Sequence, residues 1–300
     1  MTTERPALGV VFPQLEIGAD RSVIRSYLQE VEALGYDYLT MYDHVVGADP
    51  ALHPGWEPRG PGQPFYTHAS AFHEPFSLLG YAAAVTDRLG LATSVLVLGQ
   101  RQTALVAKQA AEIDILSGGR FRLGVGAGWN DIEYAALGVD FDTRGRRIDE
   151  QLVALRRLWT EEVVSFHGEW HDLSGVGLNP MPLTRPVPLW VGGESPVAVR
   201  RAVRQGDGFS TNVPVGEGDR LRRQLDDCLR AHGRSSGGFG LEAIVRATPT
   251  AEAIASAVER WQALGATHVA VDLMFLDLGS TAAHLRLLGR VLDLVGGGPG

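Results

Sequence analysis

The sequence predicts a (β/α)8 barrel, and three observations carry that prediction. Short apolar runs alternate with helical segments through eight strand-then-helix units. No composition shift, internal repeat or low-complexity block divides the chain. Its 300 residues match the length of an α/β barrel folded as one unit. The expected organisation is a single domain over residues 1–300, with an insertion after the second strand at 46–73 and a disordered tail at 296–300.

Each element has its own signal. Ala7–Pro13 is a buried apolar run stopped by proline and reads as strand one. Ser22–Leu34 has apolar residues at helical spacing, Asp20 or Ser22 as cap and Gly35 as stop. Asp37–Tyr42 is strand two, and Asp43 and His44 follow it directly. The proline-, glycine- and aromatic-rich stretch Val46–His73 is too long for a simple connection and reads as a lid or binding loop. Helix Glu74–Arg88, strand Gly90–Leu98, helix Thr103–Leu116 and strand Phe121–Gly126 resume the alternation. In that last strand Phe121, Leu123 and Val125 alternate with Arg122, Gly124 and Gly126. Asn130 and Asp131 are candidate caps for helix Ile132–Leu137, and a longer helix covers Arg144–Thr160. Val163–Pro188 reads as a small hairpin and a proline-rich crossing. The remaining strands are Leu189–Gly192, Asp207–Thr211, Phe239–Thr248 and His268–Met274. Their helices are Pro196–Gln205, Asp219–His232, Ala251–Leu264 and Thr281–Val295.

Composition removes several classes of function. A net charge of −8 argues against nucleic acid as a partner. No apolar run is long enough for a membrane helix, and MTTERPALGVVF lacks the pattern of a signal peptide, so a cytoplasmic location is expected. Cys228 is the only cysteine, which excludes internal disulfides and thiolate metal clusters. Lys108 is the only lysine and falls in helical sequence, away from the strand ends where a Schiff-base barrel needs one.

Function in this architecture sits on the loops after the strands. Those loops hold few charges and, after strand two, no histidine, so no metal centre is expected. Gly124–Gly128 is spaced G-x-G-x-G, which fails the dinucleotide fingerprint. Glycine backbone, Trp129 and few charges suit a flat aromatic cofactor held by shape. Asp43 and His44 are candidate polar groups, since a hydride moving at a carbon beside oxygen needs a proton partner. Arg101, just after strand three, is a candidate cofactor contact. Gln14, Trp56, Tyr66 and the other loop aromatics Phe65 and Phe72 are candidate substrate contacts. Arg144, Arg146 and Arg147 read as charges paired with Asp142, Asp149 and Glu150, and His167 and His171 as hairpin residues away from the chemistry.

Several of these stretches together resemble the luciferase-like monooxygenase superfamily, and within it the oxidoreductases that use the deazaflavin coenzyme F420. The matching pieces are YDYLTMYDHVV at 36–46, LGLATSVLVL at 89–98 and AKQAAEIDILSGGRFRLGVGAGW at 107–129. EYAALGVDFDTRGRRID at 133–149, VSFHGEW at 164–170 and PLWVGG at 188–193 complete the set, in family order. The resemblance implies that Asp43 and His44 lie beside the cofactor ring, with His44 as proton partner and Asp43 orienting ring or histidine. It implies a bulge at Ser94–Val95 behind the ring, with a cis peptide there. Gly126, Gly128, Trp129, Gly192 and Gly193 would border the cofactor. Trp129 stands where the sugar-phosphate dehydrogenases of the group carry a catalytic glutamate, which argues against their chemistry and substrate.

The implied function is hydride transfer between F420 and a small organic substrate, by a homodimer. Two alternatives share the fold: an FMN-dependent monooxygenase supplied by a separate flavin reductase, and a barrel that binds a flavin without turnover.

Overall fold

A computed structural model describes residues 5–54, 56, 66–246, 248 and 250–296. The strands are β1 (Ala7–Val11), β2 (Tyr38–Met41), β3 (Gly90–Thr93), β4 (Leu96–Val97), β5 (Phe121–Gly126) and β6 (Val164–His167). They continue as β7 (Asp172–Val176), β8 (Leu189–Gly192), β9 (Gly208–Thr211), β10 (Gly240–Arg246) and β11 (His268–Asp272). The helices are α1 (Arg21–Leu34), α2 (Pro75–Val85), α3 (Thr103–Leu116), α4 (Asp131–Ala136) and α5 (Arg144–Thr160). After them come α6 (Pro196–Gln205), α7 (Gly218–Ala231), α8 (Ala251–Ala263) and α9 (Thr281–Leu294). Parallel pairing runs β3-β2-β1-β11-β10-β9-β8-β5, and β5 returns to β3, so eight strands close into a barrel. β6 and β7 form the separate antiparallel hairpin expected within Val163–Pro188.

Local chemistry sets the boundaries. Asp20, not Ser22, caps α1: its carboxylate accepts from the Ser22 and Val23 amides, and Gly35 stops the helix in the left-handed conformation. Glu74 and Asn130 cap α2 and α4. The predicted third strand is interrupted. It breaks after Thr93, the Ser94–Val95 peptide is cis, and Leu98–Gln100 turns as a 3₁₀ segment. β1, β2, β10 and β11 also end before their predicted last residues, as the chain leaves the ladder to form the rim. Of the predicted tail, residues 297–300 lie outside the described residues, as do 55, 57–65, 247 and 249.

Alternation along the strands separates two packed regions. Leu8, Val10, Leu39, Leu123, Val125, Val191 and Val271 face the helices and belong to one large core with Leu28, Val31, Leu79 and Trp159. Val11, Tyr38, Ala92, Ile244, Ala270 and Met274 form a smaller cluster from the opposite strand faces, inside the barrel. Two large rings fill the lower interior. A Cβ at Gly9 would overlap the Tyr38 ring, and one at Gly240 would overlap Trp190, so only glycine admits these side chains. Arg122 completes the plug, with its guanidinium carbon 4.0 Å from the Trp190 ring centre and 5.1 Å from that of Tyr38. Because the bulk sits low, the carboxyl ends of the strands open onto a cavity.

Candidate active site

The cavity has a volume of about 710 Å³ and opens at the strand ends, within the range of small-molecule and cofactor sites. Its wall begins with the break between β3 and β4. The Val95 side chain projects between β5 and β8, where a Cβ on Gly126 would lie 2.6 Å from Val95 Cγ2 and one on Gly192 would meet Val95 Cγ1. Gly128, at φ +72°, stands in the same relation to Val97. The glycines therefore accommodate a valine wedge, and their backbone is what faces the cavity.

One side of the mouth is aromatic. His44 lies 4.0 Å from Tyr66, 4.9 Å from Phe72 and 5.5 Å from Trp129, centre to centre. Its Nδ1 faces Glu133 Oε2 at 3.4 Å. Glu133 is almost wholly buried; its other oxygen accepts from the Val45 and Val46 amides. Asn130 completes this junction. Its Oδ1 accepts from the Glu133 amide, while its Nδ2 donates to the Tyr66 hydroxyl at 2.5 Å. The turn between β5 and α4 thus clamps the chain after β2 and fixes the histidine's edge.

Polar groups line the other side. Helix α6 starts at the cavity, with Gly192, Gly193, Glu194 and Ser195 in its wall. Arg201, one-tenth exposed, reaches the same wall while Asp149 Oδ1 (2.7 Å) and the Gly145 carbonyl (2.9 Å) brace its guanidinium. A helix N-terminus beside an arginine is a place for an anion. Across the mouth, Asn212 bridges Glu194 and Arg246 when its amide oxygen faces Arg246 Nη2, at 3.0 Å. Tyr42 donates to Asp272 at 2.7 Å; burial nevertheless pushes the Asp272 carboxyl upward.

The candidates from sequence divide accordingly. Asp43, His44, Ser94, Val95, Gly126, Gly128, Trp129, Gly192 and Gly193 all line the cavity. Asp43 does not orient His44. Its carboxylate takes Arg101 Nη2 at 2.6 Å, Arg101 Nε at 3.0 Å and the Val97 amide at 2.9 Å. Burial raises its pKa, and Arg101 opposes that shift. Arg101 lies outside the cavity lining, so the expected cofactor contact is instead the counter-ion of Asp43.

Gln14, Trp56 and Tyr66 also lie outside the lining. Gln14 anchors a loop by donating to the Tyr42 carbonyl and accepting from the His73 amide. Trp56 stacks on Trp129 at 6.0 Å and donates to Asp131. Tyr66 packs behind His44 with its hydroxyl donating to the Val46 carbonyl. Phe65 lies outside the described residues.

The arginine pairings differ from expectation too: Asp149 pairs with Arg201, Glu150 with His171, and Arg146 with Glu169. Asn212 is a strand-end position legible in the sequence, whereas Glu133, Arg201, Ser210 and Arg246 were not singled out from it. Only Glu133, at helical spacing from the Asn130 cap, had a local signal; the others converge from helix α6 and from strands β9 and β10. No group of three or more metal-ligating side chains occurs among the described residues.

An eight-stranded barrel with a cavity of about 710 Å³ at its strand ends, lined on one side by a histidine beside a buried carboxylate and on the other by a helix start, defines a barrel built to hold a small molecule at the carboxyl ends of its strands. The comparisons specify the family: residues 9–285 match the luciferase-like monooxygenase model, and the chain belongs to that family. An uncharacterized protein of Mycobacterium tuberculosis is 36% identical over 206 residues, covering 68% of this chain and 70% of that one. An FMNH(2)-dependent dimethylsulfone monooxygenase of Pseudomonas putida is 36% identical over 187 residues, 60% of this chain and half of that enzyme. Among solved structures, an F420-dependent secondary alcohol dehydrogenase in complex with an F420–acetone adduct superposes with a TM-score of 0.79. It is 16% identical, covers 97% of this chain and 99% of its own, and speaks for the fold alone.

Proposed function

We propose that the protein is an F420-dependent oxidoreductase that moves a hydride between the deazaflavin and a small organic substrate. The observation that carries this reading is the pair His44–Glu133: an imidazole at the cavity wall whose Nδ1 is 3.4 Å from a buried carboxylate. The residues present fit the cofactor. Backbone at Gly126–Gly128 and Gly192–Gly193 would border the flat ring, with the Ser94–Val95 turn behind it. The start of α6, with Arg201, would receive the anionic tail.

The bound deazaflavin supplies hydride transfer. The chain's own work is to exclude water, orient the substrate and handle a proton. Glu133 fixes Nδ1 of His44, which directs Nε2 toward the cavity as proton donor or acceptor for a carbonyl or alcohol oxygen. Tyr66, Phe72 and Trp129 keep that imidazole dry and in one orientation. The part of the insertion that carries Tyr66 and Phe72 would act as the cover.

Fluorescence titration with F420 and FMN in parallel tests this reading. Binding of F420 with FMN ignored is the expected result; binding of neither would sink the cofactor assignment. The second reading, an FMN-dependent monooxygenase fed by a reductase, is favoured by the dimethylsulfone monooxygenase relative. A clear preference for FMN would select it.

A further inference from the structure

Beneath the cavity floor lies an ion pair that the proton chemistry above does not use. Glu242 is 1% exposed, inside the barrel, and its Oε1 accepts from Arg122 Nη2 at 2.6 Å. Its Oε2 accepts from Ser94 Oγ at 3.1 Å, and Ser94 Oγ lies 2.7 Å from Ser210 Oγ. Both serines are buried and both line the cavity. The nearby imidazole of His268 is held neutral: burial and the adjacent Arg122 bring its pKa down to about 4.

These contacts fix the direction of the hydroxyl protons. An ionised carboxylate only accepts. Burial acts to raise the Glu242 carboxyl, but Arg122 and the hydroxyl groups outweigh it and hold it below the ordinary range. Ser94 therefore spends its proton on Glu242, and Ser210 must spend its own inward, on Ser94 or on the carboxylate. Turning the Ser210 proton outward would leave one of the two close contacts, Ser94–Glu242 or Ser94–Ser210, without a hydrogen between its oxygens. What Ser210 then turns to the cavity is lone pairs.

We propose that Ser210, its hydroxyl polarised through Ser94 by the buried Glu242–Arg122 pair, is a hydrogen-bond acceptor that selects a ligand edge bearing a ring N–H. This rests on the cofactor reading above. The one donor common to the oxidised rings of FMN and a deazaflavin is the N3–H of the pyrimidine, so that edge is the one Ser210 would recognise. Ser210 acts on affinity and seating, not on the proton transfer assigned to His44.

The test is a fluorescence titration of the full chain and its Ser210→Ala and Ser210→Thr variants. The probes are FMN, 3-methyl-FMN, 8-hydroxy-5-deazaflavin and its 3-methyl derivative. One neutral hydrogen bond corresponds to a preference of about fivefold to tenfold for the unmethylated ring. The native chain and Ser210→Thr should show that preference, and Ser210→Ala should bring the ratio to about 1. A native chain that binds the methylated ring equally well, or a Ser210→Ala variant that keeps the native ratio, overturns the proposal while leaving the cofactor reading intact. Failure of the native chain to bind any of the four rings overturns both.

Discussion

His44 and Asp43 are neighbours in sequence and opposites in environment. His44 has an aromatic cage and one carboxylate; Asp43 is fully buried and bound to Arg101. A buried aspartate with a two-nitrogen arginine contact is a structural ion pair, because breaking such a pair costs about 3–5 kcal/mol and its retention secures geometry. The proton work therefore falls to His44. In His44→Gln, turnover should drop by about 10²- to 10⁴-fold, the usual worth of a general acid or base, with cofactor affinity nearly unchanged. Steady-state kinetics beside a binding titration checks both halves. An unchanged kcat would remove His44 from the chemistry.

At the level of elements, the interruption between β3 and β4 organises the cavity wall. It turns Val95 across β5 and β8, and both strands answer with glycine at 126 and 192. Phe121, Leu123 and Val125 point the other way, into the packing with the helices, so the alternation seen in the sequence already separated wall from core. Gly126→Ala should overpack the wedge and cost about 1–3 kcal/mol, with weaker cofactor binding as Val95 is displaced into the cavity. Urea unfolding and the fluorescence titration would show the two losses together. Pairing this change with Val95→Ala should restore most of both, and no recovery would mean that the wedge is not the cause.

The whole barrel keeps charge in its interior, and this makes its stability depend on pH. His268 packs between Tyr38 and Trp190, 5.5 and 4.9 Å from their ring centres, with Arg122 and Glu242 nearby. Its folded-state pKa, about 4, lies below the ordinary histidine value of 6.5. Between those values the unfolded chain takes up a proton that the folded chain refuses, so stability falls as pH drops from about 6.5 toward 4. Above that window His268 is neutral in both states and contributes no slope. Glu242, also depressed, adds its own loss only at lower pH, and the raised carboxyls of Asp43 and Asp272 act in the opposite sense. Denaturant unfolding at pH 7 and pH 5 should show a larger loss for the native chain than for His268→Asn. Equal losses would mean that the histidine is not held neutral.

The sequence by itself determined the barrel, the order of its elements and the strand ends at which function collects. Apolar periodicity, caps and glycine stops are local, and a chain expresses them wherever it folds. It also marked Asp43–His44, the glycines and the cis Ser94–Val95 turn, the last through family resemblance. Tertiary structure alone decided which carboxylate serves His44. Asp43 is adjacent in the chain, but both residues lie in the loop after β2, and the packing of that loop brings Asp43 to Arg101 after β4 and the histidine to Glu133 on α4. It also brought Ser94, from the break between β3 and β4, together with Arg122, Ser210 and Glu242 from three strands, a convergence that closure of the barrel creates and no local pattern records.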